Sequence, residues 1–163
     1  MKFCRTAAVF IILTLLCSAT AFARLQPGEP APDFNASTLE GKQVKLSDLK
    51  GQALLVEIGT TWCPSCKELA HQIDSIRDFL KEKKVNYTAV FLSDPVDSIR
   101  EHLKEEKLSL PDRLLIDNGE ARRAYNIFSI PRLLLIDPDF TILFDETVLS
   151  ADEIKRRINA ELE

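Results

Sequence analysis

Residues 53–67 read Ala53-Leu54-Leu55-Val56-Glu57-Ile58-Gly59-Thr60-Thr61-Trp62-Cys63-Pro64-Ser65-Cys66-Lys67. The first seven are a short apolar run rich in strand formers, which predicts a buried central strand. A helix is predicted from about Pro64 to Lys83, because Leu69, Ile73, Ile76 and Leu80 fall on one face of it. A Cys-x-x-Cys pair therefore sits between a buried strand and the start of a helix.

That placement bears on the chemistry. Zinc sites usually combine two such motifs, or one motif with downstream histidines. This chain has one pair, and its 2 histidines are His71 and His102. His71 lies on the same predicted helix as Cys66 and is expected to turn away from the motif. The position between strand and helix favours a redox pair over a metal site or a purely structural disulfide. Cys63 falls at the first helical turn, where free N–H groups and the helix dipole stabilise a thiolate, so its pKa is expected below the free value of ~8.5. Cys66, one turn on, is placed to resolve a mixed disulfide on Cys63. Pro64 stiffens the link and gives up an N–H that a helix start does not need. Glu57, six residues before Cys63 in the apolar run, is expected to be buried with a raised pKa, a candidate acid/base for the Cys66 proton. The alternative for Glu57 is an edge position with its side chain in solvent.

Working outward, the first 23 residues differ from the rest. Lys2 and Arg5 are their only charges, an apolar run follows from Ala7 to about Cys17, and small residues end at Ala21-Phe22-Ala23. This pattern predicts a secretory signal peptide over 1–23, with an uncleaved anchor as the alternative. Export would place the protein in the periplasm or another extracytoplasmic compartment. It would remove Cys4 and Cys17 and leave one domain, 24–163, whose only thiols are Cys63 and Cys66. Without Lys2 and Arg5, 19 of the 21 Lys and Arg stand against 25 Asp and Glu, a net charge of −6. Nothing is basic enough to suggest nucleic acid as a partner.

Further elements follow from the pattern. A turn is predicted at Leu39–Lys42, a strand at 43–46 and a helical turn at 47–49. The next strand is Val85–Leu92. Asp94 and Pro95 are expected as N-cap and first position of a second long helix, with Val96, Ile99 and Leu103 inward. A short strand at 114–116, a short helix at 119–125 and two strands, 132–136 and 141–144, come next. Asp137-Pro138-Asp139-Phe140 joins those two strands. A last helix begins at Ser150, with Glu153 three residues later as in a capping box. The order implies an α/β protein with a central mixed sheet flanked by helices on both faces.

The residues 55–67 resemble the active-site strand and helix of thioredoxins, including the Trp before the first Cys, with Glu57 where thioredoxins carry a buried Asp. Tyr125-Asn126-Ile127-Phe128-Ser129-Ile130-Pro131-Arg132 followed by Leu133–Ile136 resembles the thioredoxin segment that holds a cis-proline. Ala31-Pro32-Asp33-Phe34 and the stretch Leu39–Gly51 look like the N-terminal hairpin of the exported TlpA/ResA-like branch, and the interval from Cys66 to Pro131 has room for that branch's inserted helix. The resemblance implies a thioredoxin-like fold and a thiol–disulfide oxidoreductase acting through a Cys63–Cys66 disulfide, with no other cofactor and no metal. Members of the branch reduce or exchange disulfides outside the cytoplasm, including on apocytochrome c. By the same resemblance Pro131 is the cis-proline facing the cysteines, and Trp62, Ile130, Pro131 and Arg132 bind substrate. The expected partners are protein thiols and disulfides and a membrane-protein electron donor, with the chain acting as a monomer.

Three departures stand out. Arg132 replaces a Thr that usually follows the cis-proline. An Arg there would stabilise the Cys63 thiolate and favour acidic substrates, unless it is a solvent-facing strand residue. Ser129 replaces a Gly. Leu69 stands where ResA-like proteins carry an acidic residue, a role that Glu68 is not given. Two alternatives remain at this stage. One is a thioredoxin-fold metallochaperone or other non-catalytic binding protein. The other is a peroxiredoxin, for which Thr60-x-x-Cys63 matches but Val56 stands in place of the motif's Pro.

Overall fold

The computed structural model describes residues 24–162. The predicted signal segment lies outside the described residues. Among the described residues no helix is long and apolar enough to cross a membrane.

Seven strands form one sheet: β1 (Asn35–Ser37), β2 (Gln43–Lys45), β3 (Ala53–Gly59), β4 (Val85–Leu92), β5 (Arg113–Asp117), β6 (Arg132–Ile136) and β7 (Ile142–Glu146), in the order β2-β1-β5-β4-β3-β6-β7. β3 runs parallel to β4 and antiparallel to β6, so the sheet is mixed and β3 lies inside it. Every residue of β3 is buried, as expected for a strand flanked on both edges and covered on both faces. β1 and β2 form the N-terminal hairpin, and β1 joins the sheet by pairing Ala36 and Ser37 with Asp117 and Ile116 of β5. A single 3-10 turn over Leu46–Leu49 closes the hairpin segment.

The helices are α1 (Pro64–Asp74), α2 (Arg77–Glu82), α3 (Val96–Glu105), α4 (Glu120–Ala124) and α5 (Ala151–Leu162). Strand alternation separates two cores. Leu55 of β3 and Leu133 of β6 pack with Leu69, Ile73, Ile99 and Ile154, so α1, α2, α3 and α5 cover one face. Val56, Ile58 and Leu134 pack with Phe34, Leu46, Ala121 and Tyr125, so α4 and the N-terminal lead-in cover the other. α3 is the inserted helix.

Two expectations are corrected. The predicted helix over 64–83 is two helices, broken at Ser75 and Ile76, where Ile76 leaves helical geometry at φ −114 and ψ 17. The break was invisible in the apolar repeat because Ile76 and Leu80 stay buried on the same face after it. Asp94 does not cap α3. Pro95 takes the N-cap place without a side-chain bond, and the Asp94 carboxylate is engaged by Thr61 instead. The last helix is capped as predicted at Ser150, whose Oγ accepts from Glu153 N at 3.3 Å, while the Glu153 side chain turns to Arg156.

Candidate active site

β3 ends at Gly59, and the chain crosses the sheet's end in four residues before α1 begins. Cys63 is the N-cap of α1, with Pro64 at its first position. Its Sγ accepts a hydrogen bond from Cys66 N at 3.3 Å, so a helix-start N–H points at the first sulfur. Both cysteines are buried and free thiols in this structure. Cys66 packs down onto Gly59. A Cβ on Gly59 would lie 2.9 Å from Cys66 Sγ, so the position needs glycine for close approach. The crossing loop is fixed from outside: Asp94 accepts from Thr61 N and Thr61 Oγ1, both at 3.1 Å.

Glu57 points to the α1 face of β3 and is 6% exposed. Among the described residues it has no basic partner. Its Oε2 accepts a short hydrogen bond from the Tyr87 hydroxyl. Parallel pairing of Glu57 with Ala89 places Tyr87, two residues earlier on β4, on the same face. Burial pushes the Glu57 carboxyl up to about 7, against the downward pull of the Tyr87 bond. Burial likewise pushes the Cys66 thiol far up, helped by Cys63 and the Glu57 charge, and the backbone amide of Thr60 opposes this. Cys66, Glu57, Tyr87 and His102 line one cavity of about 30 Å³ behind the cysteine pair.

On the outer side, the Ile130–Pro131 peptide bond is cis. Ile58 of β3 pairs with Arg132 of β6, so the turn before β6 and the loop after β3 lie at the same end of the sheet. Trp62 is 71% exposed, and it shares a depression of about 200 Å³ with Ile130, Ser129, Phe128 and Arg122. Phe128, 68% exposed, was not singled out in the sequence, where it reads only as part of the cis-proline segment.

Arg132 is neither a solvent-facing residue nor available to a substrate. It is 3% exposed, on the face opposite Cys66 and Glu57, and Nε donates to Asp145 Oδ1 at 2.7 Å while its Nη2 holds the second carboxylate oxygen. The fork is spent on one buried carboxylate, which removes it from the substrate-binding set and gives its charge an adjacent counterion. His71 turns away from the motif, as expected, and its Nε2 lies 3.1 Å from Glu106 Oε2 at the end of α3. Among the described residues no group of three His, Cys, Asp or Glu is placed to hold a metal ion.

A profile of the AhpC/TSA family matches residues 27–144. A thiol–disulfide oxidoreductase ResA from Bacillus cereus is 30% identical over 140 residues, spanning 79% of this chain and 80% of that protein. A ResA from Bacillus thuringiensis subsp. konkukian is 29% identical over 144 residues and 82% of each chain. Among solved structures, a putative thiol:disulfide interchange protein DsbE from Chlorobium tepidum matches with a TM-score of 0.74 at 25% identity, over 85% of this chain and 99% of that one. StoA from Bacillus subtilis matches with a TM-score of 0.64 at 27% identity, over 80% and 98%. With these relatives and a Cys-x-x-Cys at the end of β3, the chain belongs to the AhpC/TSA family as a thioredoxin-fold thiol–disulfide oxidoreductase similar to ResA.

Proposed function

We propose that the protein acts outside the cytoplasm as a reductant or isomerase of protein disulfides, with Cys63 as the attacking sulfur, Cys66 as the resolving sulfur and Glu57 as the acid/base for Cys66. The carrying observation is the asymmetry of the two sulfurs. Cys63 sits at the open end of α1 beside a helix-start N–H, whereas Cys66 is held inside against Gly59 with its thiol pushed up and a carboxyl sharing its cavity. The Cys63 thiolate attacks a substrate disulfide and releases one substrate thiolate, leaving a Cys63–substrate disulfide. Cys66 then loses its proton to Glu57 and attacks Cys63 Sγ. The Cys63–Cys66 disulfide forms, the second substrate sulfur departs as a thiolate, and the pair of electrons has passed to the substrate. A membrane protein on the same side as the domain would return the protein to its dithiol. Apocytochrome c is a substrate of the right chemistry, since it presents a cysteine pair that must be reduced.

Substrate is read at the sheet end. An extended peptide would lie along the Ile130–Pro131 segment, where a proline leaves neighbouring backbone groups open to pair. Trp62 and Phe128 would take up its apolar side chains. The test is trapping with Cys66→Ser, which should hold substrates as mixed disulfides on Cys63. Absence of any adduct overturns the catalytic reading. The direction is tested by the reduction potential of the pair against glutathione, and a strongly oxidising value near ~−120 mV would overturn the reductant assignment.

A further inference from the structure

The cavity behind Cys66 holds an imidazole that the chemistry above leaves without a task. His102 comes from α3, the inserted helix, and reaches the same small space as Glu57, Cys66 and Tyr87. It is 7% exposed. Its ring meets Phe91 edge-on, with centroids 6.1 Å apart and planes at 74°. Its Nδ1 is buried and makes no hydrogen bond, and the same is true of Thr60 Oγ1, which also lines the cavity. Leaving such atoms unpaired in the interior is costly. The cavity of about 30 Å³, which both residues line, has room for one water.

We infer that His102 is a positioning residue of the proton route, joined to Glu57 through one water held by His102 Nδ1 and Thr60 Oγ1. The inference rests on the reading of Glu57 as the acid/base. When the mixed disulfide is resolved, the Cys66 S–H bond breaks and its proton goes to Glu57. As the Cys66 proton reaches Glu57, the buried carboxyl hands a proton across the water to neutral His102 in the same step, so closure itself depends on the relay, and the imidazolium then releases the proton to solvent. Burial, and next the Lys67 ammonium, hold His102 below the ordinary imidazole range, so it lets go of the proton readily. The charged groups facing it are Lys67 of α1, Glu105 and Glu106 at the end of α3, and Asp94 in the loop before α3. Across the cavity are Glu57, Tyr87 and Asp74. The pull of the three carboxylates on His102 opposes burial and Lys67 without overturning them.

The experiment uses single-turnover reaction of the reduced full chain with excess glutathione disulfide, read by Trp62, which is the only tryptophan and adjoins Cys63. A concentration-dependent phase reports attack by Cys63, and a concentration-independent phase reports closure by Cys66. His102→Gln is expected to slow closure at least ~10-fold and to change its pH profile, while the first phase keeps its rate; direct acid–base groups are worth ~10²–10⁴. Closure with an unchanged rate and pH profile overturns the proposal. Glu57→Gln, run beside it, separates the two readings. If Glu57→Gln slows closure and His102→Gln does not, the relay fails alone. If neither slows it, the acid/base reading fails with it. Should His102→Gln not fold, the wild type decides through an NMR titration of the His102 imidazole. A second inflection near pH 7, where Glu57 ionises, supports the coupling, and a single inflection overturns it.

Discussion

Two carboxylates are buried on opposite faces of this sheet, and the fold treats them in opposite ways. Asp145 on β7 faces the α4 side, where Arg132 grips both its oxygens and Leu25 N adds a third bond at 3.0 Å. Glu57 on β3 faces the α1 side, where it accepts from the Tyr87 phenol and shares a cavity with the Cys66 thiol and the His102 imidazole, with no cation in hydrogen-bond contact among the described residues. Asp145 is matched by a counterion and fixes the β6–β7 hairpin to the lead-in. Glu57 has no counterion, so desolvation decides its ionisation and moves it into the range where it exchanges protons near neutrality. The paired acid ties elements of the fold together, and the one left short of partners keeps a carboxyl whose proton is exchangeable near neutrality.

The comparison breaks most visibly on the Asp145 side. Arg132→Met leaves a buried carboxylate without its counterion and should cost ~3–5 kcal/mol in urea denaturation. Arg132→Met with Asp145→Leu should recover most of that loss, since both charges are then gone. A loss below ~1 kcal/mol in the single variant would contradict the description of the pair.

On the Glu57 side the effect is next in size and depends on pH. The folded carboxyl titrates at about 7 against an ordinary value of 4.5, so the folded state holds the proton more tightly. Its contribution to stability is therefore fully present below about pH 4.5 and is lost as pH rises through about 7, amounting to ~3 kcal/mol. Reduced wild-type protein should weaken over that window relative to Glu57→Gln, which has nothing to ionise there. Parallel stability curves from about pH 4 to about pH 9 would contradict the burial of an unpaired acid.

Tyr87→Phe sharpens the same side with a smaller effect. The hydroxyl favours the ionised carboxylate, so its loss should raise the Glu57 midpoint further and cost ~1.5 kcal/mol above about pH 8, where the carboxylate loses a donor. The pH profile of closure should move to the alkaline side with it. A shift to lower pH would contradict the assigned hydrogen bond.

The features legible in the sequence were those that local pattern determines. β4 has the bounds its apolar run predicts, and Glu57 stood out because a carboxylate in ALLVEIG has no exposed face to turn to. What escaped depended on register and distant partners. Tyr87 is linked to Glu57 only once β3 and β4 are aligned Glu57 to Ala89. Arg132 is claimed by a residue across a hairpin with a shifted register, so its burial could not be read from its neighbours. Asp94 sits before a proline as an N-cap would, yet a loop 33 residues earlier in the chain outcompetes the helix for its carboxylate. His102 reads in the sequence only as a possible metal ligand, and its place on the cavity behind Cys66 follows from the packing of the inserted helix against Phe91 of β4. Gly59 looked like the end of a strand, whereas the close approach of Cys66 is what requires it.

The proposed transfer of the Cys66 proton to Glu57 stands or falls with the titration of the Glu57 carboxyl itself. In reduced full-length protein carrying ¹³C-labelled glutamate, with Glu57→Gln used to assign the signal, the Glu57 carboxyl should titrate with a midpoint near 7. A midpoint near the ordinary glutamate value of ~4.3 would leave it ionised throughout and contradict the account.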